Sequence, residues 1–261
     1  ARRLDAMFAA YASVIDRKTN DPRTLLPAPA GEGGTWILPS SARTGGQGGA
    51  FYTTQLTLAN QTPADASVAL EFLGHDVDGR GGTQKVVDVP VGKAVTWGDV
   101  LGDVFGVSTG YGAIRVRSAS VALNVLGQTS TPGPAGGTFG QSVPAAAASD
   151  LVAAGVARSI APVREDARFR TNLILANATE ASLVVHLSLL ASDGALLGAG
   201  SYTLLPLGMR QVTEVVRDLG VTGDVRDARL VLSTPTPGGA FAAYASVIDR
   251  TTNDPRTLLP R

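Results

Sequence analysis

His75, Asp76, Val77, Asp78 and Gly79 form the run whose residue types and spacing come nearest to a metal loop. Carboxylates at alternate positions ahead of a turn open an EF-hand loop, where hard oxygen ligands surround calcium. This run lacks a third side-chain ligand and the closing glutamate, so a solvated hairpin is expected. Asp76 and Asp78 are the only calcium candidates, and no metal site is assigned. The other histidine, His186, falls in an alternating strand pattern, and both histidines read as structural. No His-x-x-x-His, Gly-x-Ser-x-Gly, P-loop or dinucleotide fingerprint occurs. With no cysteine, thiolate catalysis, disulfides and cysteine-based zinc sites are excluded. No catalytic residue and no cofactor is therefore expected.

The bulk properties narrow the partners. Lys+Arg and Asp+Glu both number 22, and a net charge of zero argues against nucleic-acid or anionic-membrane binding. No apolar run approaches the ~18 residues of a membrane span. Aromatic residues make up 5%, which leaves few stacking platforms for sugars or bases; Trp36 and Trp97 are expected to pack cores. The glycine-rich stretches 44–49 and 133–137 do not sit between a strand and a helix, so they read as flexible loops rather than phosphate cradles.

Any chemistry would have to be positioned by repeated elements. Residues 7–27, MFAAYASVIDRKTNDPRTLLP, match residues 240–260, AFAAYASVIDRTTNDPRTLLP, at 19 of 21 positions and an offset of 233. A second, more diverged repeat lies between them. YTTQLTLAN (52–60) answers FRTNLILAN (169–177), and Asp78-Gly79 answers Asp193-Gly194. Pro90-Val91-Gly92 answers Pro206-Leu207-Gly208, and Phe105-Gly106-Val107 answers Leu219-Gly220-Val221. These ordered landmarks imply two homologous domains, 31–147 and 148–261, behind an N-terminal segment, 1–30.

Short β-branched or alternating runs punctuated by Gly, Pro, Asn and Asp predict an all-β chain of two tandem antiparallel β-sandwiches of Ig-like type. Leu56 and Leu58 share one strand face, as do Val68, Leu70 and Phe72. Asp78-Gly79 and Asp193-Gly194 fit hairpin turns. Segments 96–105 and 212–219 predict one short helix per domain, with Thr96 or Thr213 as caps and Gly106 or Gly220 beyond the end. Alanine-rich 145–157 reads as a short helical or extended connector.

The repeat also places the N-terminal segment. In the second domain, 240–260 supplies the last two strands, and its first-domain counterpart is 121–145. Residues 1–30 are thus a final hairpin with no domain in front of it. A lone hairpin is marginal in water, so it must pair with its own first domain, a further domain or a neighbouring molecule. Phe8, Tyr11, Val14, Ile15, Leu25 and Leu26 offer apolar contacts, and Asn20, Asp21 and Pro22 close the turn. Phe241, Tyr244, Val247, Ile248, Asn253, Asp254 and Pro255 are the equivalent C-terminal set.

The phrases GGTWILPSSARTGGQGGAFYTTQLTLAN, ARFRTNLILAN, GTFGQSVPA and AYASVIDRTTNDP resemble paired all-β repeats of large secreted or surface proteins of bacteria. The resemblance covers essentially the whole chain; the first domain departs from it with Thr54-Gln55-Leu56 where Arg-Thr-Asp/Asn-Leu is usual. It implies a secreted, extracellular or cell-surface location and carries no catalytic residues to transfer. The expected function is a non-catalytic structural repeat that builds a fibre or long array with itself as partner. The hairpin would then complete a sheet across a repeat or subunit boundary. The alternative is a surface adhesion or binding module for carbohydrate or protein, appended to a secreted enzyme.

Overall fold

The computed structural model describes residues 10–26, 34–46, 49–119 and 123–261. Phe8 lies outside the described residues. Strand residues make up 58% and helical residues 6%, which places the chain in the all-β class.

In chain order the first strands are β1 (Ala12–Ile15), β2 (Pro22–Leu25), β3 (Thr35–Gly45), β4 (Phe51–Asn60) and β5 (Ala66–Gly74). Next come β6 (Gln84–Val89), β7 (Ala94–Trp97), helix α1 (Val100–Asp103), β8 (Gly110–Ser118), β9 (Leu123–Pro132) and β10 (Thr138–Pro144). After these lie β11 (Val152–Ala153), β12 (Arg158–Glu165), β13 (Phe169–Asn177), β14 (Leu183–Leu190) and β15 (Leu196–Leu204). The chain closes with β16 (Met209–Val212), helix α2 (Val215–Asp218), β17 (Val225–Ser233), β18 (Ala240–Asp249) and β19 (Pro255–Leu258).

The two halves use one pairing plan. In the first, β10-β9-β4-β7 and β3-β8-β5-β6 are hydrogen-bonded neighbours; in the second, β19-β18-β13-β16 and β12-β17-β14-β15 follow the same order. The halves differ at one seam. Residues Arg43 to Gly45 of β3 pair with Phe51 to Thr53 of β4, which joins the first half into one eight-stranded sheet. The second half keeps two sheets. Both β3 and β12 carry a register shift at a proline, Pro39 and Pro162. A bulge is where a strand tolerates a residue that donates no ladder hydrogen bond.

One side-chain device recurs at the end of β4 and of β13. Asn60 Nδ2 donates to the Ala64 and Val89 carbonyls, both at 2.8 Å, while its Oδ1 accepts from the Thr62 backbone N–H at 2.8 Å. Asn177 does the same with Ala181 and Leu205 at 2.8 Å and Thr179 N–H at 2.9 Å. Each buried amide therefore ties the turn that follows it to a more distant segment, the end of β6 or the residue after β15, with its polar atoms satisfied.

The short helices form where expected, but their caps differ. Thr96 stands in β7, its hydroxyl 3.0 Å from that of Thr57. Asp99 caps α1 instead, accepting from Gly102 N–H at 3.1 Å. At α2 the residue before the helix is Glu214, and the fully buried Glu165 carboxylate accepts from Val216 and Arg217 N–H groups at 3.3 and 3.0 Å. Gly106 and Gly220 follow the helices with φ of +68° and +81°, a region that an L side chain resists.

Core residues explain the order of the layers. Alternate residues of β13 and β18 face opposite ways: Leu173, Leu175, Ala243 and Ala245 join the core of the second half. Ile174, Ala176, Ala242 and Tyr244 join the core of the first. The β13 and β18 strands are thus buried on both faces, which accounts for their near-continuous apolar sequence. Arg115 adds a polar tie, with Glu71 at 2.6 Å in its own half and Glu180 of the other at 2.9 Å. The connector holds a single 3-10 turn at Ala148–Asp150 and the short β11, which pairs with β18.

Candidate assembly interface

The two copies of the repeated hairpin adopt one geometry. In the N-terminal copy, Ala12 pairs with Leu25 and Ile15 with Pro22; in the C-terminal copy, Ala245 pairs with Leu258 and Ile248 with Pro255. Each pairing is shifted by 233 residues, so the register is the same. The turns agree as well. Asn20 and Asn253 both have φ of 59°, a left-handed conformation that asparagine tolerates better than most residues. Asp16 N–H reaches the Asp21 carbonyl at 3.0 Å, and Asp249 N–H reaches that of Asp254 at 3.1 Å. Lys18 N–H donates to the Asp16 carboxylate at 2.7 Å, and Thr251 N–H to that of Asp249 at 2.8 Å.

Their surroundings are opposite. In β18, Tyr244, Val247 and Ile248 are 2%, 2% and 9% exposed on a strand paired with β13, and Tyr244 joins the core of the first half. Their counterparts Tyr11, Val14 and Ile15 are 72%, 48% and 55% exposed. Among the described residues β1 pairs only with β2, and its other edge carries no ladder. Tyr11, just before β1, and Val14 and Ile15 within it are therefore presented rather than packed, as is Leu26. Phe241 is fully buried in the second half.

The N-terminal hairpin docks on its own first half by its loop, without adding a strand to the sheet. The Asp16 carboxylate accepts from the backbone N–H and the hydroxyl of Thr138, each at 2.9 Å. Thr19 donates its hydroxyl to the Thr138 carbonyl at 2.8 Å, and buried Asp21 accepts from Gly140 N–H at 2.9 Å. Arg23 also bonds the Thr138 hydroxyl. The 133–137 stretch is thereby a contact surface. A Cβ on Gly137 would lie 2.7 Å from Lys18 Cβ and Thr19 Cγ2, and one on Gly133 would lie 2.9 Å from Thr19 Cγ2. The C-terminal hairpin approaches the same strand: Ser246 and Thr257 hydroxyls both donate to Gln141 Oε1 at 3.0 Å.

The equivalent carboxyl groups Asp21 and Asp254 consequently meet beside β10. Burial first, then the charge of Asp21 and a hydrogen bond to it, push Asp254 up to about 6; Asp249 adds to the rise and Arg256 opposes it. A protonated Asp254 can donate to Asp21 Oδ1, which is buried and accepts no other hydrogen bond in the structure. Arg23 stands 3.8 Å from Asp21. Asp16 moves the other way, held at about 2 chiefly by Lys18 N–H and the Thr138 hydroxyl. An acid whose value is raised by docking binds more protons when docked, so docking weakens as pH rises through about 6 and is firm below about 4. Asp16 opposes this only as pH falls toward 2. The expected result is that protection of the Gly140 amide from hydrogen exchange falls as pH rises past 6, corrected for intrinsic rate. Asp254→Asn should flatten that fall; the same fall in the variant would count against the carboxyl pair.

A cavity of about 300 Å³ lies between the halves, with Arg170 as the only charged lining residue among the described residues, alongside Tyr52, Tyr111, Gln141, Asn172 and Tyr244. Burial pushes the Tyr52 hydroxyl up against the pull of the Arg170 charge, and burial holds that of Tyr244 at about 12.

The 75–79 run is placed elsewhere, as a tie between the halves. Asp76 N–H donates to the Met209 carbonyl at 2.7 Å and Gly79 N–H to that of Pro206 at 2.8 Å. Asp78 is ion-paired with Arg80 at 2.5 Å. Gly79 is required by close approach, since a Cβ there would sit 2.2 Å from the Leu207 carbonyl oxygen; the positive φ of this turn falls at Asp76 and Gly81. Asp193-Gly194 does turn through the glycine, with φ of +89°. His75 packs edge-on to Tyr111, with centroids 3.9 Å apart, and His186 is exposed on β14.

No family model and no curated protein matches the chain. Among solved structures, that of the infectious bursal disease virus Gx strain aligns at 10% identity and a TM-score of 0.19, over 95% of this chain and 67% of that one. A score at that level bears on neither fold family nor function.

Proposed function

We propose that the chain is a non-catalytic structural repeat of a secreted or surface-exposed bacterial protein, made of two Ig-like β-sandwich units at 31–147 and 148–261. Copies assemble into a fibre or long array, and the N-terminal hairpin completes a sheet across each repeat or subunit boundary. The observation that carries this reading is the pair of hairpins with one register, one sealed against β13 and the other open along β1. A strand whose apolar residues face both ways and lie exposed is a template for edge pairing. Its complement is β13, and the offset of 233 sets the pairing: Ser13 opposite Asn172, and Tyr11 opposite Ile174.

The absence of native cysteine makes this testable by disulfide trapping on full-length chains. One chain carries S13C. The other carries N172C together with A245P, which removes a ladder donor from its own β18. Co-refolding the two should trap a mixed disulfide dimer, and electron microscopy of the native material should show polymers. Absence of the mixed dimer while both chains are folded would refute sheet completion. Recovery only from cytoplasm would refute the location.

A second reading, a binding module for carbohydrate or protein, is supported by the cavity between the halves. Titration with neutral and uronic-acid oligosaccharides should then shift NMR signals of Tyr52, Asn172 and Tyr244 first, and R170A should weaken only the acidic ones.

A further inference from the structure

The N-terminal loop occupies a fitted site on the edge of β10, and the chain carries a second loop of nearly the same residues. We infer that the Gly133–Gly140 edge is a head-to-tail docking site for residues 249–255 of a second copy of this chain. The partner's half of this junction rests on the sheet-completion reading for its geometry, but the contact itself is a different one.

The bound loop shows what the site selects. It needs a carboxylate for the Thr138 N–H and hydroxyl, a hydroxyl for the Thr138 carbonyl and a second carboxylate for Gly140 N–H. Asp249, Thr252 and Asp254 supply these groups at the same places in the same turn. The single difference within the loop is Thr251 for Lys18. Lys18 contributes its Cβ next to Gly137, and threonine has that atom too. Thr251 and Thr252 are exposed, and Asp249 bonds Arg168, whose side chain is 67% exposed. Asp254, which meets Asp21 in its own chain, is freed when that copy's N-terminal hairpin leaves.

Superimposing the hairpins gives the junction its form. With 249–255 of one copy laid where 16–22 sits on another, the first copy's β13 arrives along the edge that β1 leaves open. One interface thus has two covalent connectivities. The hairpin at the junction belongs either to the following copy, as residues 10–26, or to the preceding copy, as residues 240–260. In the second case no strand leaves its sheet; only the N-terminal hairpin of the following copy is released. That hairpin then acts in cis as the competitor for the site, and weakening it should promote association. A head-to-tail contact that does not close into a ring propagates.

Association of full-length chains, followed by sedimentation velocity, tests this with Gly133 and Gly137 left in place. A chain with D16A and D21A, which loosen its own hairpin, is expected to associate at least several-fold more strongly than the unsubstituted chain. Adding D249A and D254A should remove that gain, with circular dichroism showing that each chain stays folded. No gain for the D16A and D21A chain, or a gain that D249A and D254A leave unchanged, overturns the junction. If the S13C–N172C dimer nevertheless forms, sheet completion stands and the docking site falls. If the gain appears and is lost with D249A and D254A while no S13C–N172C dimer forms, the docking site stands and sheet completion falls.

Discussion

Tyr244→Ala is expected to destabilise the protein by about 3–5 kcal/mol, in the range of buried aromatic truncations. The same substitution at Tyr11 should change stability by less than about 0.5 kcal/mol, as at ordinary surface positions. The two residues stand at equivalent places in near-identical sequences, so propensity and local turn chemistry cancel. What remains is the environment: Tyr244 is 2% exposed and hydrogen-bonded to Ser40, whereas Tyr11 is 72% exposed. Urea denaturation of both variants, followed by intrinsic fluorescence at low protein concentration, measures the difference. Equal losses at the two sites would mean that β1 is already paired in solution. Repeated under conditions in which copies assemble, Tyr11→Ala should lower the extent of association, because that ring then enters an environment like that of Tyr244.

Asn177→Ala should cost about 2–4 kcal/mol, and Asn60→Ala a similar amount. Each removes a buried amide that donates to two carbonyls, one of them the Val89 carbonyl inside the first half, and leaves a threonine N–H without its acceptor; an unsatisfied buried group costs about 1–3 kcal/mol. Asparagine to aspartate is expected to be no better, since it keeps the acceptor, loses the donors and places a charge in a buried position. Thermal unfolding of the two alanine variants and the double variant checks this, with losses adding if the two sites are independent. A loss below about 0.5 kcal/mol at either site would show that water replaces the amide.

Much of this organisation is legible in the residues. The end-to-end repeat carries the hairpin register, because both strands and the turn are contained within the 21 residues. The landmarks from Tyr52 to Val221 recur because equivalent strands and turns recur, and Asn60 and Asn177 stand at the last position of their strands for the reason just given. Other features depend on what a segment meets far away in the chain. Thr96 has the chemistry of a helix cap, but the ladder of β7 with β4 claims it first, and Asp99 takes the role. Glycines 133 and 137 read as looseness, whereas their lack of side chains admits Lys18 and Thr19. The run AFAAYASVID is apolar on both faces, a pattern of double-sided burial, yet nothing local says that one face of β18 meets the other half of the molecule. The meeting of Asp21 and Asp254 is equally nonlocal, since both loops must first reach β10.

The shared register of the two hairpins also governs how such a gene can change length. A crossover anywhere between equivalent codons of the two copies joins the first part of one hairpin to the remainder of the other. The product retains the full turn, both strands and the loop carboxylates, because every residue needed is present in each copy apart from Met7 or Ala240 and Lys18 or Thr251. Such an event adds or deletes one block of 233 residues and leaves no broken sheet at the seam. Cutting between the halves would instead part the Ile174, Ala176, Ala242 and Tyr244 face of β13 and β18 from the core of the first half and expose two apolar faces at once. In an array of the kind proposed, length is therefore the property that varies most readily while every junction stays the same.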